Sequence, residues 1–346
     1  MSGAGRGTAA PGAPASPLAL YTDLAGTDPG AATRLLAAAG FRVQICDLRS
    51  ADEVEAQVAD AQPEALLVSY LSVGARAFAA APSIRIVSCS SVGFDCVDVE
   101  AADAAGVWVA NVPDAASEEV ASHALAMALA LLRHLPFLDR HVREGGWAYQ
   151  ATGMPRRLSE TALGVIGMGR IGRRLAAMGT GLFGRVVGVD ETWPGPDWPA
   201  GVRRVALEQA LAQCDVVSLH LPLTGGSRHL IAAETLAMMR PGSYLVNVSR
   251  GGLIDPEALL VALDDGRLAG AALDVTDPEP PEPDERVRHH PRILITPHSA
   301  FLSTPALEGY VLRQAENVIA WHRTGRPNTP VNALAAAPGR GEEGWR

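Results

Sequence analysis

"GVIGMGRIGRRL", Gly164 to Leu175, is the stretch on which the fold turns. An apolar, strand-like run enters it from Ala162, a glycine-rich turn interrupts it, and a helical pattern leaves it. Gly167, Gly169 and Gly172 stand in GxGxxG spacing. Glycines also serve ordinary tight turns, so the spacing alone decides little; strand, turn and helix together make it a dinucleotide-binding unit. Gly167 permits the turn, Gly169 lets a pyrophosphate approach, and the amides of Arg170 and Ile171 at the helix start can donate to it. "VVGVD" then places Asp190 at the end of the next strand, about 20 residues on, where a carboxylate accepts hydrogen bonds from a ribose diol. Asp190, with Glu191 beside it, repels the extra phosphate of NADP, so NAD is the expected cofactor.

Outward from this unit the same alternation repeats. "ALGVIG", "RVVGVD", "DVVSLHL", "SYLVNVS", "LAGAALDV" and "RILITPH" read as six strands of one parallel α/β domain. Upstream, "LALYTD", "FRVQICD", "ALLVSY", "IRIVSCS" and "VWVAN" read as five strands of another. "SEEVASHALAMALALLRHL", Ser117 to Leu135, reads as one Ala/Leu-rich helix linking the two, its near-continuous apolar face expected against a domain or a second subunit. The helix Pro305 to Gly325 is expected to return to the first domain. The expected organisation is a disordered tail over 1–17, a discontinuous substrate domain over 18–112 and 300–330, a cofactor domain over 113–299, and a flexible tail over 331–346.

The totals agree with a two-domain chain: 346 residues carry a formal charge of −9, and no basic stripe is offered to nucleic acid. Cys46, Cys89, Cys96 and Cys214 are scattered without metal-ligand spacing, so no metal site and a reduced, cytoplasmic chain are expected. The opening segment lacks the apolar core of a signal peptide, and no run is long enough to span a membrane.

"SYLVNVSRGGLID", Ser243 to Asp255, ends an apolar strand in a cation, Arg250. A buried guanidinium needs a carboxylate partner or an incoming anion. A salt bridge to Asp255 would be the plain explanation. However, "AALDVTDPEPPEP" ends another strand at Asp274 and then offers Glu279, while "LITPHSA" ends the last at His298. Ligands of open parallel sheets sit beyond the carboxyl ends of the strands, so an Arg, a Glu and a His gathered there point to a substrate site.

These motifs, with "SSVGFDCVDVEAADAAGVWVANVPDAASEEVASHALA", "LHLPLTGGSRHLI" and "MMRPGSYLVNVSRGGLIDPEALLVAL", resemble the successive signatures of the D-isomer specific 2-hydroxyacid dehydrogenase family, in its branch near phosphoglycerate dehydrogenases and C-terminal-binding proteins. The resemblance implies two Rossmann-like domains, a flavodoxin-like substrate domain and a doubly wound NAD-binding domain with a cleft between them. It implies reversible hydride transfer between NADH and a small 2-ketoacid; the apolar face of the Ser117 helix makes a homodimer the expected assembly. Arg250 would bind the substrate carboxylate and polarise the carbonyl, His298 would act as acid and base, and Glu279 would pair with His298; a carboxylate partner favours the protonated imidazole that a general acid requires. Asp274 would orient the nicotinamide amide, and Leu221, Pro222 and Val248 would complete the cofactor contacts. Ser91, Val92 and Gly93 would grip the substrate carboxylate with backbone amides, while Tyr70 and Phe301 would line its side-chain pocket and hint at a medium or aromatic ketoacid.

Some positions depart from the common family choices: Cys96 stands where Asn is frequent, Ser122 where an acidic residue often precedes His123, and Ser249 where Ala or Thr usually precedes the Arg. His123 reads as structural, and His220, His229, His289 and His290 receive no role. Two other functions share these motifs. A phosphite- or phosphonate-oxidising dehydrogenase would keep Arg, Glu and His but carry a Lys in the first glycine loop, and this chain has no lysine. An NAD(H)-sensing corepressor-like scaffold would also retain the three residues. Formate dehydrogenases carry Gln where Glu279 stands.

Overall fold

The computed structural model describes residues 16–24, 26–191 and 198–334. Two compact units form: one includes the chain up to Ala115 and from Leu307 onward, the other runs Ala116–Ala306.

The first unit is built on β1 (Leu18–Tyr21), β2 (Arg42–Ile45), β3 (Ala65–Val68), β4 (Ile86–Cys89) and β5 (Trp108–Ala110). All pair in parallel, in the order β2-β1-β3-β4-β5 of a flavodoxin-like sheet. Strand side chains alternate between faces, and both faces are apolar because helices cover both. Leu20, Leu66, Val68, Val87 and Val109 share one core with Val54, Val58 and Phe78. Tyr21, Leu67, Ile86 and Trp108 share the other with Leu36 and with Val311, Ala315 and Val318 of the last helix, Thr304–Thr324. The Gln314 side chain of that helix donates to the carbonyls of Val68 and Ser88 at 3.0 and 2.8 Å.

The expected flexible tail does not hold for its first residues. The Asn332 side chain accepts from the Val109 amide at 2.9 Å and donates to the Val107 carbonyl at 2.9 Å and to Asp103 at 2.7 Å, tying residues 331–332 to β5. Most of both expected tails lies outside the described residues.

The second unit carries β6 (Ala162–Ile166), β7 (Arg185–Val189), β8 (Val202–Arg204), β9 (Val216–Leu219), β10 (Ser243–Asn247), β11 (Leu268–Leu273) and β12 (Ile293–Ile295). Their order, β12-β11-β10-β9-β6-β7-β8, is all parallel and reverses direction between β6 and β9, which makes it a doubly wound sheet. The extra strand over the six expected is β8, three residues long with two exposed arginines, too short and too charged to show a pattern.

The helix expected over Ser117 to Leu135 ends at Leu132. Its residues Val120, Ala121, Ala124, Met127, Ala128, Leu131 and Leu132 are buried within this unit. His134, at φ 53°, breaks the chain direction, and a second helix, Leu135–Arg143, follows with none of its residues buried. The apolar face that remains exposed therefore belongs to this second helix and the segment after it, where Trp147 is 89% exposed. No single helix among the described residues is long and apolar enough to cross a membrane.

Candidate active site

Gly167 lies at the carboxyl end of β6 with φ 95°, a left-handed conformation that only glycine adopts without strain. A Cβ there would also lie 2.5 Å from the His220 carbonyl at the end of β9, and one on Gly172 would meet the Gly167 carbonyl at 1.9 Å. A Cβ on Gly169, in contrast, would meet nothing within 4 Å: the space in front of the helix Arg170–Gly179 is open. The first-turn amides of that helix, including those of Arg170 and Ile171, point along its axis into this space. Asp190 closes β7, and one of its carboxylate oxygens accepts the Met168 amide at 2.8 Å, pinning the carboxylate beside the glycine turn. These residues fit a pyrophosphate and an adjacent ribose.

Beyond β9, the Leu221 side chain borders Gly167, and Pro222 follows it. His220 lies between strand and loop. Its Nε2 is 2.9 Å from the Ser218 hydroxyl, its Nδ1 is enclosed without a hydrogen-bond partner among the described residues, and burial pushes the imidazole down to about 3. It is neutral at any physiological pH.

Val248 and Arg250 follow β10. The turn between them is shaped by Asn247, whose side chain accepts from the Ser249 amide at 3.0 Å and donates to the Arg250 carbonyl at 2.8 Å. The Ser249 hydroxyl donates to the Leu219 carbonyl at 2.8 Å, and the Arg250 guanidinium to the Ser249 carbonyl at 2.7 Å. Gly251 is packed so tightly that a Cβ would fall 2.0 Å from the Thr276 carbonyl carbon. The Arg250 turn and the loop after β11 are thus pressed backbone to backbone.

That loop carries Glu279. Its carboxylate accepts from the Thr276 amide at 3.3 Å through Oε2 and meets His298 Nδ1 at 2.5 Å through Oε1. Partial burial acts to raise the Glu279 carboxyl, but the hydrogen bond and charge of His298, the Thr276 amide and the Arg250 charge outweigh it and hold the group below the usual carboxylate range. The two side chains are 33% and 38% exposed, so the His298 ring is oriented by Glu279 and still open to a ligand.

His298 itself has φ 49°, rare for a residue with a side chain. Its amide donates to the Asp274 carbonyl at 2.8 Å. The Asp274 carboxylate, 1% exposed, accepts the Thr296 hydroxyl at 2.6 Å and the amides of Ser299 and Ala300 at 2.9 Å each. His123 Nε2 is 3.2 Å from the Thr296 hydroxyl and 3.7 Å from Asp274. The Phe301 ring stands edge-on to the His298 imidazole, 6.1 Å between centroids.

The second unit therefore gathers Arg250, Glu279, His298, Asp274 and Phe301 beyond the carboxyl ends of β10, β11 and β12. Sequence reasoning missed Asn247, Thr296 and the amides of Ser299 and Ala300, and gave His123 no part in this network. These groups bond to backbone or to one another, which leaves no recognisable motif.

In the first unit, Tyr70 follows β3 and Ser91, Val92 and Gly93 follow the neighbouring β4, at the same edge of their sheet. Tyr70 is 61% exposed, and its amide donates to Asp23 at 3.0 Å. The Ser91 hydroxyl donates to the Gly93 carbonyl at 2.5 Å, and the Val92 carbonyl accepts from Asn111 at 2.7 Å, which fixes the loop.

Comparison with known proteins is consistent with this geometry. Residues 125–300 match the family model described as D-isomer specific 2-hydroxyacid dehydrogenase, NAD binding domain. The glyoxylate reductase of Korarchaeum cryptofilum is 37% identical over 272 residues, which are 77% of this chain and 82% of that protein. The chloroplastic D-3-phosphoglycerate dehydrogenase 2 of Arabidopsis thaliana is 36% identical over 281 residues; the match takes in 80% of this chain but 45% of the plant protein. Among solved structures, the D-lactate dehydrogenase of Aquifex aeolicus, complexed with NAD and lactic acid, superposes with a TM-score of 0.78 at 27% identity, covering 88% of this chain and 95% of that one.

Proposed function

The chain belongs to the D-isomer specific 2-hydroxyacid dehydrogenases, NAD-dependent oxidoreductases of the CH–OH group, and from that premise we propose that it reduces a small 2-ketoacid reversibly with Arg250, Glu279 and His298 as its catalytic residues. The observation that carries this reading is the 2.5 Å pairing of His298 with Glu279 in a loop where the Arg250 charge is also felt. NADH supplies the hydride. Arg250 holds the substrate carboxylate and draws electron density from the keto oxygen. Its planar fork suits a carboxylate, and its charge stabilises the oxygen as negative charge develops there. His298 delivers a proton to that oxygen as the carbon is reduced, and Glu279 stabilises the charged imidazole beforehand. In the oxidative direction the neutral imidazole removes the hydroxyl proton, and Glu279 stabilises the product imidazolium.

Gly167, Gly169, Arg170, Ile171, Gly172 and Asp190 are proposed to hold the pyrophosphate and ribose, with Leu221, Pro222 and Val248 beside them. Asp274 is proposed chiefly as the support of the His298 turn, because its carboxylate is already committed to three donors; its contact with nicotinamide rests on the family resemblance. Tyr70, Ser91, Val92, Gly93 and Phe301 are proposed as substrate contacts. A homodimer is proposed through the exposed apolar side chains Leu135, Phe137, Val142, Trp147, Tyr149 and Met154, which a lone protomer leaves in water. Four unbridged thiols favour a reducing, cytoplasmic setting. The comparisons lend no support to a phosphite oxidiser or a scaffold.

The test is NADH oxidation against glyoxylate, pyruvate, hydroxypyruvate, oxaloacetate and phenylpyruvate, with NADPH in parallel. Turnover of one member with NADH identifies the substrate class. Tight NADH binding with no turnover of any member would defeat the proposal.

A further inference from the structure

Asp23, half-buried just beyond β1, ties together the loops that follow three strands of the first unit. Its carboxylate accepts the Ser69 amide at 3.0 Å through Oδ1 and the Tyr70 amide at 3.0 Å through Oδ2, where the chain leaves β3. The Thr22 hydroxyl donates to Oδ1 at 2.7 Å. The Ser69 hydroxyl donates to the Asp23 carbonyl at 3.3 Å and accepts the Ser90 hydroxyl at 2.9 Å, where the chain leaves β4 towards Ser91, Val92 and Gly93. The carboxylate is thus built into the loops that carry Tyr70 and Ser91 to Gly93, and none of its three donors brings a compensating charge. The surrounding loops have the same sign. Those leaving the carboxyl ends of the five strands, residues 22–29, 46–50, 69–74, 90–98 and 111–116, carry Asp23, Asp28, Asp47, Asp95, Asp98 and Asp114. Among their described residues the one basic side chain is Arg49, which is bonded to Asp47. Arg76, the next arginine along the chain, pairs with Glu55 at 2.7 Å and Asp52 at 3.4 Å, and the chain has no lysine.

We propose that Asp23 is a specificity-determining residue and that the substrate is a 2-ketoacid with an uncharged side chain, neither phosphorylated nor dicarboxylic. The inference rests on the proposed function, in which Tyr70, Ser91, Val92 and Gly93 meet the substrate. The one carboxylate that every 2-ketoacid carries has Arg250 as its anchor. A second anionic group, carried on the side chain, would be met by loops that offer it the Asp23 carboxylate and no spare cation. It would lose its water without gaining a partner, and it would be repelled as well. The second unit supplies no substitute beside the Arg250 turn. Arg228, whose guanidinium lies 3.3 Å from the place of a Cβ on Gly252, is already paired with Asp277 at 3.1 Å. A neutral side chain carries neither penalty, so selection acts by exclusion of the charged competitor.

The test uses oxaloacetate and its 4-amide, two ketoacids of one shape that differ by one charge. Their kcat/KM values with NADH are compared at low and at high salt. The expected result is a preference for the amide of roughly 10²-fold. It should shrink as salt screens the carboxylates, which exclusion by shape would not do, and shrink again in Asp23→Asn. Tyr70→Arg, which places a cation on the exposed loop, should raise the rate with oxaloacetate and not with the amide. Equal values for the two acids, a preference that salt leaves unaltered, or a Tyr70→Arg variant as selective as wild type would overturn the proposal; the last two measurements do not depend on Asp23→Asn folding. Efficient reduction of oxaloacetate would sink this inference and uphold the dehydrogenase. No turnover of any ketoacid would defeat the dehydrogenase reading instead, and the affinities of the two acids for the NAD-bound protein would still decide this one, equal affinities overturning it.

Discussion

His298 hangs from Asp274: its amide donates to the Asp274 carbonyl at 2.8 Å, while the Asp274 carboxylate takes the amides of Ser299 and Ala300, the next two residues in the chain. The residue proposed as acid and base is held by one buried residue, through its backbone carbonyl at His298 and through its carboxylate at the two residues that follow. The left-handed backbone of His298 is retained because these bonds over-determine it.

Asp274→Asn removes acceptor capacity and the charge. The carboxamide oxygen can accept from Thr296 and Ser299 or from Ala300, and the NH2 must then face the other donor, while the backbone bond to His298 is kept. A loss of about 1–3 kcal/mol in stability is expected, with a lower Tm and reduced kcat. Chemical denaturation checks this, and an unchanged midpoint would mean the turn is held by other bonds.

Arg250→Ala should raise the ketoacid KM and lower kcat together, because one guanidinium both anchors and polarises. Loss of such a charge-stabilising donor costs on the order of 10²–10³-fold in rate. Steady-state kinetics with the best ketoacid of the panel decide the matter; a wild-type kcat/KM would remove Arg250 from the site.

For His298→Gln, turnover should fall by roughly 10²–10⁴-fold, the usual span for losing a positioned acid. NADH binding, followed by fluorescence titration, should be nearly unchanged. A variant that lost NADH binding as well would mark His298 as a structural residue.

Glu279 sets the pH dependence. Its folded-state carboxyl lies below the ordinary range, so the stabilisation from the charged Glu279 carboxylate is fully present above that range and is lost as pH falls through the folded value. Glu279→Gln keeps a hydrogen-bonding side chain but removes the charge that favours an imidazolium. The loss of ketoacid reduction on the acid side that comes from protonating Glu279 should then be absent, as a pH–rate profile will show, and identical wild-type and variant profiles would contradict the pairing.

Asp190→Ser should weaken NADH binding and relax the discrimination against NADPH, since the carboxylate that repels a ribose phosphate is gone. The ratio of kcat/KM for the two cofactors measures it; a ratio equal to wild type would place the discrimination elsewhere.

What the sequence displayed and what it concealed divide along a physical line. Buried parallel strands are short apolar runs, and β10 and β11 read directly as such. Gly167, Arg250 and His298 were legible because strand ends in a parallel sheet have a known destination. β8 was hidden, because an exposed edge strand of three residues has no apolar period. The end of the Ser117 helix was also hidden: "LLRHLPF" stays apolar across the break, and the left-handed His134 that makes it has no sequence signature. Asp274 was legible as a strand-end acid but not as a backbone clamp, since its partners are amides that every residue possesses.

Gly251 separates two kinds of selection that act on this chain. With a Thr276 backbone atom 2.0 Å from any added Cβ, the position accepts no side chain, whatever its chemistry. Under a screen that counts only how much intact protein a cell accumulates, Gly251 would be purged of variants while Arg250, its neighbour, tolerated many. Under a screen for turnover both would be intolerant. The gap between the two screens, position by position, would separate the residues that keep the enzyme folded from those that make it an enzyme.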